Sequence, residues 1–124
     1  MSGYSPSETS RRSGFSLDTL RYYEKIGLLA EVARSSGGRR IFTDDDLGWL
    51  NLLRCLRDTG MPIAQMCRYA ELQRDGDHTA AERMRLLQEH AGAVDEQIRL
   101  LQTQREHLLE KIDYYQGVLG ASRT

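Results

Sequence analysis

Apolar side chains recur along this chain with the period of an α-helix, and the breaks between runs carry helix-capping residues. In the longest run, Ala80, Met84, Leu87, Ala91, Val94, Ile98, Leu101, Arg105, Leu108, Ile112, Tyr115 and Leu119 step by alternating fours and threes. That alternation is a heptad seam, with Arg105 as its charged member. Thr79-Ala80-Ala81-Glu82 reads as the capping box that opens the element. About 40 helical residues at ~1.5 Å each give a rod of roughly 60 Å. Alone in water, such a rod leaves its apolar seam uncovered, so the pattern predicts a coiled-coil dimer. Leu87, Val94, Ile98, Leu101, Leu108 and Ile112 are the expected dimerisation residues.

The shorter runs upstream predict a compact helical domain. Ser5-Pro6-Ser7-Glu8 is a second capping-box pattern, with Pro at the first helical position where its missing N–H costs nothing. A first helix is expected to Ser13, stopping at Gly14. Ser16 should cap a second helix over Leu17–Ile26, ended by Gly27. Two short helices around a tight Gly-containing turn make a helix-turn-helix. Residues 30–42 lose helical periodicity around Ser35-Ser36-Gly37-Gly38 and predict a turn between two extended arms. Thr43-Asp44-Asp45-Asp46 opens a third helix with a Trp49, Leu52, Leu53 and Leu56 stripe, ended by Gly60. Pro62 starts a fourth helix, and Asp75-Gly76-Asp77 marks a linker. The expected layout is a DNA-binding domain over residues 4–75 and a dimerisation helix over 79–119, with residues 1–3 and 120–124 disordered.

Charge changes this picture where it is uneven. The net charge is −1, yet residues 11–40 hold seven bases against three acids and residues 71–124 hold seven bases against ten acids. A basic N-terminal block on a slightly acidic chain fits a local polyanion footprint rather than a wholly basic coating protein. The fifteen arginines against two lysines carry little functional weight. No apolar run approaches ~20 residues and the N-terminus lacks a signal-peptide core, so no membrane span and a cytoplasmic location are expected. Cys55 and Cys67 are too few and too poorly spaced for a disulfide scaffold or a zinc site.

Candidate chemistry gathers in that basic block. Arg21, Tyr22 and Tyr23 occupy the second helix of the helix-turn-helix. A guanidinium forks onto phosphate or guanine, and phenol hydroxyls reach phosphate oxygens. At ~100° per residue the two tyrosines cannot both face inward, so one is expected in the core and the other outside. Ser16 and Thr19 in the first turn join this set. A charged hairpin tip is more often plain solvated surface, but Arg34, Arg39 and Arg40 beside a helix-turn-helix point to a wing gripping the DNA backbone, with Phe42 counted among its DNA contacts. A coiled-coil adaptor that binds another protein is the alternative, although it has no need of the basic block. Catalysis is not expected, and neither is a cofactor.

Thr19-Leu20-Arg21-Tyr22-Tyr23-Glu24 and Gly38-Arg39-Arg40-Ile41-Phe42 resemble the DNA-binding domain of MerR-family transcription regulators, over residues 4–70. The resemblance implies a mainly α fold, with a winged helix-turn-helix followed by a long dimerisation helix paired as an antiparallel coiled coil. It also implies a homodimer on double-stranded promoter DNA, bending and untwisting a pseudo-palindromic spacer so that RNA polymerase meets promoter elements in phase. This chain departs from the family at Pro6, Thr9 and Ser10, where helix 1 is usually apolar. It departs again at Arg39 and Phe42, where the wing usually has Tyr.

The resemblance bears on sensing as well. Metal-sensing relatives place cysteines at the start of the dimerisation helix and in a C-terminal loop, and this chain has none after Cys67. His78, His90 and His107 lack ligand spacing, so no metal site is expected. Nor does the chain carry the large ligand domain of multidrug-type relatives. Cys55, flanked by Arg54 and Arg57, is similar in placement to the single cysteine of the small subgroup answering aldehydes and thiol-reactive electrophiles. It is the candidate thiol sensor. Its bland reading is a small apolar filler, and a regulator without cysteine sensing is the corresponding alternative. Cys67 reads as packing.

Overall fold

A computed structural model describes residues 3–30 and 32–121. Among the described residues five α-helices follow in order: α1 (Pro6–Ser13), α2 (Leu17–Lys25), α3 (Asp44–Asp58), α4 (Ile63–Asp75) and α5 (Ala80–Ala121), with a 3-10 turn at Asp77–Thr79 before α5. The chain divides into two units, with the break between Leu86 and Leu87. Among the described residues no helix is long and apolar enough to cross a membrane.

The helix starts follow their capping residues, with two corrections. Thr43 and Asp46 form a full reciprocal box at α3, which explains its firm start. At α1 only half of the expected box forms. Ser5 Oγ accepts from Glu8 N, but the Glu8 carboxylate turns outward to pair with Arg11 and Arg12. The box expected at Thr79 does not form either. Thr79 is buried within the 3-10 turn, and its hydroxyl donates back to Leu72 O and Gly76 O, both at 2.7 Å. There it satisfies carbonyls at the end of α4 rather than amides at the start of α5. Pro62 precedes α4 as its N-cap, and its carbonyl accepts from Gln65 N and Met66 N.

The first unit is built around α2. Gly14 (φ 81°) ends α1 in the left-handed conformation, and its N–H donates to Ser10 O. Gly27 (φ 85°) does the same after α2, letting Leu28 N and Leu29 N both fold back onto Tyr23 O. Helix α2 therefore stops at Lys25, one residue earlier than expected. The core joins Phe15, Leu20, Tyr23, Leu28 and Leu29 to Val32 and Phe42 of the wing, then to Leu50, Leu53 and Leu56 of α3 and Met66 and Tyr69 of α4. Each such side chain stabilises by about 1.5–3 kcal/mol on burial. Of the stripe expected on α3, Leu53 and Leu56 are buried, whereas Leu52 is half-buried and Leu50 takes the core place expected of Trp49. Leu50 is fully buried, while Trp49 is half-buried, stacks on Tyr69 at 5.8 Å and donates its indole N–H to Leu28 O at 2.7 Å.

The wing is a hairpin of isolated bridges rather than continuous strands. Ser35 N donates to Arg39 O and Ile41 N to Ala33 O, closing the turn. Tyr4 pairs with Phe42 through both backbone groups, while its phenol donates to Asp44 Oδ1 at 2.7 Å. The segment before α1 thereby staples the base of the wing to the start of α3.

In the second unit α5 continues without interruption to Ala121, so residues 120 and 121, expected to be disordered, are helical. The other terminal residues of that expectation, apart from Gly3, lie outside the described residues. No α5 residue is buried. Ile98, Leu101, Leu108 and Ile112 of the seam are exposed, and Leu87 and Val94 are partly so.

Candidate nucleic-acid interface

Helix α2 carries its expected functional residues on two opposite faces. Tyr23 is only 4% exposed and meets Phe15 edge-on, with ring centroids 5.2 Å apart. Burial raises its phenol pKa above the ordinary value, although Arg57 beside it acts in the other direction. Tyr22 is 52% exposed. Of the two candidates, Tyr22 is the outward one, and Tyr23 is corrected to a core residue. Arg21 is also exposed, 3.6 Å from Asp18 one turn earlier. Ser16 Oγ caps the helix by accepting from Thr19 N and donates its own hydrogen to Thr19 Oγ1. The two hydroxyls thus hold the first turn, beside the free N–H groups that make a helix N-terminus attractive to phosphate.

The wing separates its basic residues in the same way. Arg34 and Arg39 are exposed, and Arg34 Nη1 donates to Gly38 O at 3.0 Å across the turn. Arg40 turns inward instead. Its Nε and Nη2 both lie 2.9 Å from Glu24 Oε1, with side chains only 27% and 17% exposed. Phe42 is 1% exposed and belongs to the core, so its expected place on the DNA surface is corrected. An aromatic ring without a hydroxyl gains more under the wing than at a wet surface. Arg21, Glu24 and Arg40 line one cavity of about 70 Å³ beneath the wing. Residue patterns missed Glu24, because nothing local announces a partner sixteen residues away.

Behind this surface, α3 grips the turn between α1 and α2. Arg54 Nη1 donates to Ser13 O at 3.3 Å and fills the space a side chain at Gly14 would need. Arg57 lies 4.6 Å over the Phe15 ring. Asp58 accepts from both arginines, which hold its carboxyl below the ordinary range, Arg57 first and Arg54 second. Cys55 lies between these arginines in sequence only; it is a free and exposed thiol, while Cys67 is half-buried. Among the described residues no three His, Cys, Asp or Glu side chains gather as a metal cage.

The MerR HTH regulatory protein signature matches residues 4–72, and the MerR DNA-binding signature matches residues 47–111. The chain belongs to the MerR family. An HTH-type transcriptional regulator of Haemophilus influenzae is 41% identical over 113 residues, 91% of this chain and 84% of that protein. The HTH-type transcriptional regulator AdhR of Bacillus subtilis is 32% identical over 95 residues, 77% of this chain and 64% of that protein. Among solved structures, HiNmlR, a MerR family regulator lacking the sensor domain and bound to promoter DNA, superposes with a TM-score of 0.86. It shares 40% identity, over 93% of this chain and 91% of that one. The chain is thus a MerR-family transcriptional regulator, with the winged helix-turn-helix and long C-terminal helix of that fold.

Proposed function

We propose that this MerR-family regulator binds a pseudo-palindromic promoter spacer as a homodimer and bends and untwists it, bringing promoter elements into phase for RNA polymerase. The observation that carries the reading is the outward set of Arg21 and Tyr22 on α2 with Arg34 and Arg39 on the wing, all exposed. Similarity to a relative captured on promoter DNA supports it. The uncovered seam of α5 supports pairing of two chains as an antiparallel coiled coil, and two-fold protein symmetry calls for a two-fold site. In this reading the protein works in the cytoplasm, on the nucleoid.

In the same reading Cys55 is the thiol that meets an electrophile. Its support is exposure, and its place in sequence beside two arginines that both reach the helix-turn-helix turn. In vitro transcription from the protein's own promoter tests both parts. The protein should change transcript yield, and formaldehyde or methylglyoxal should alter that effect in wild type but not in Cys55→Ser. A Cys55→Ser protein that still responds rejects the sensor. A promoter indifferent to the protein, with and without electrophile, rejects the regulator's action there.

A further inference from the structure

We propose that Glu24 is a specificity-determining positioning residue, which locks the wing to the recognition helix and holds Arg40 as a strut instead of a phosphate ligand. This rests on the DNA-binding reading above.

One carboxylate makes both connections. Glu24 Oε1 accepts Arg40 at 2.9 Å, from the outgoing arm of the wing, and Glu24 Oε2 accepts Val32 N at 3.1 Å, from the incoming arm. Arg34 and Arg40 are bridged across the hairpin, so fixing both arms on Glu24 fixes the arginine-bearing tip as well. Glu24 lies one turn after Arg21 on α2, and the two line the same cavity with Arg40. The spacing between the recognition-helix guanidinium and the wing guanidiniums is therefore set through this one side chain. A site read through DNA geometry discriminates only if its contacts keep a fixed spacing. The pairing also occupies Nε and Nη2 of Arg40 and neutralises its charge, while Arg34 and Arg39 stay exposed.

A double-mutant cycle on the full chain tests this, with equilibrium binding to the operator duplex and to a scrambled duplex across a salt series. Glu24→Gln, Arg40→Gln and the double variant should each lose operator affinity by about tenfold, the double no more than either single. Binding to scrambled duplex should stay within about twofold of wild type. The salt slope of Arg40→Gln should equal that of wild type, because no phosphate contact is removed. A slope shallower by about 0.9 would mark Arg40 as a phosphate ligand and overturn the proposal. So would additive losses, or a Glu24→Gln protein that binds operator as tightly as wild type. If Glu24→Gln fails to fold, judged by its helical signal, the slope of Arg40→Gln decides alone. Wild type failing to bind either duplex would reject the DNA reading itself, a different result from any of these.

Discussion

Thr9 is fully buried in α1, and its hydroxyl is the one buried side-chain polar atom without a hydrogen-bond partner among the described residues. An unsatisfied buried hydroxyl costs about 1–3 kcal/mol. Thr9→Val keeps the branched shape and removes that cost, so urea unfolding should show about 1 kcal/mol of added stability. A loss would mean that the hydroxyl has a partner in solution. Arg21→Ala should have the opposite profile, with operator footprinting abolished and the melting temperature held near wild type, since Arg21 is exposed and paired only loosely to Asp18. Residue identity in the sequence separated Arg21 from the core because charge alone marks it as outward. It could not separate Tyr22 from Tyr23, or Arg39 from Arg40. Adjacent residues of the same type differ only in the direction each faces, which here is set by Phe15 in one case and Glu24 in the other.

At the scale of elements, most helix limits were legible because caps are local chemistry. Ser5, Ser16 and Thr43 each accept the amide that spacing predicts. Thr79 failed the same rule because its hydroxyl finds two carbonyls of the preceding helix end, a tertiary choice the motif cannot encode. The grip of α3 on the α1–α2 turn was likewise invisible, since Arg54 and Ser13 lie 41 residues apart. That grip makes two predictions. Gly14→Ala must place a Cβ at positive φ and directly against the Arg54 guanidinium, so it should lose stability by about 1 kcal/mol or more. Unchanged stability would show that the arginine moves aside freely. Asp58, whose carboxyl is held low, stabilises fully above an unfolded value of about 4 and loses that contribution as pH falls through its lower folded value. Asp58→Asn should therefore melt below wild type at about pH 7, and the gap should narrow progressively as pH is lowered beneath about 4. A gap that stays constant as pH falls would exclude the linkage.

For the whole molecule, the seam of α5 was legible from its alternating spacing, which survives as a row of exposed apolar side chains. Leu100, Leu109, Tyr114 and Val118 are exposed off that seam, and the heptad pattern had no place for them. The structure also sets where most of α5 can be removed cleanly. A cut at residue 78 would take away Thr79 and Arg83, whose guanidinium donates to Thr79 Oγ1 at 3.0 Å and Gln73 Oε1 at 2.6 Å. Ending the chain after Leu86 keeps the first unit intact. That truncation should sediment as a monomer and bind operator about 100-fold more weakly, since it forfeits the second half-site. A dimeric truncation would move the interface elsewhere.

Two copies of one small basic surface are expected to engage one symmetric DNA site. Hydroxyl-radical footprinting of the full-length protein on its own promoter spacer tests it most directly. Two protected half-sites about one helical turn apart or a multiple of it, mirrored about a centre, are the predicted result. A single asymmetric patch of protection, or none at protein concentrations where the dimer is intact, would contradict the account.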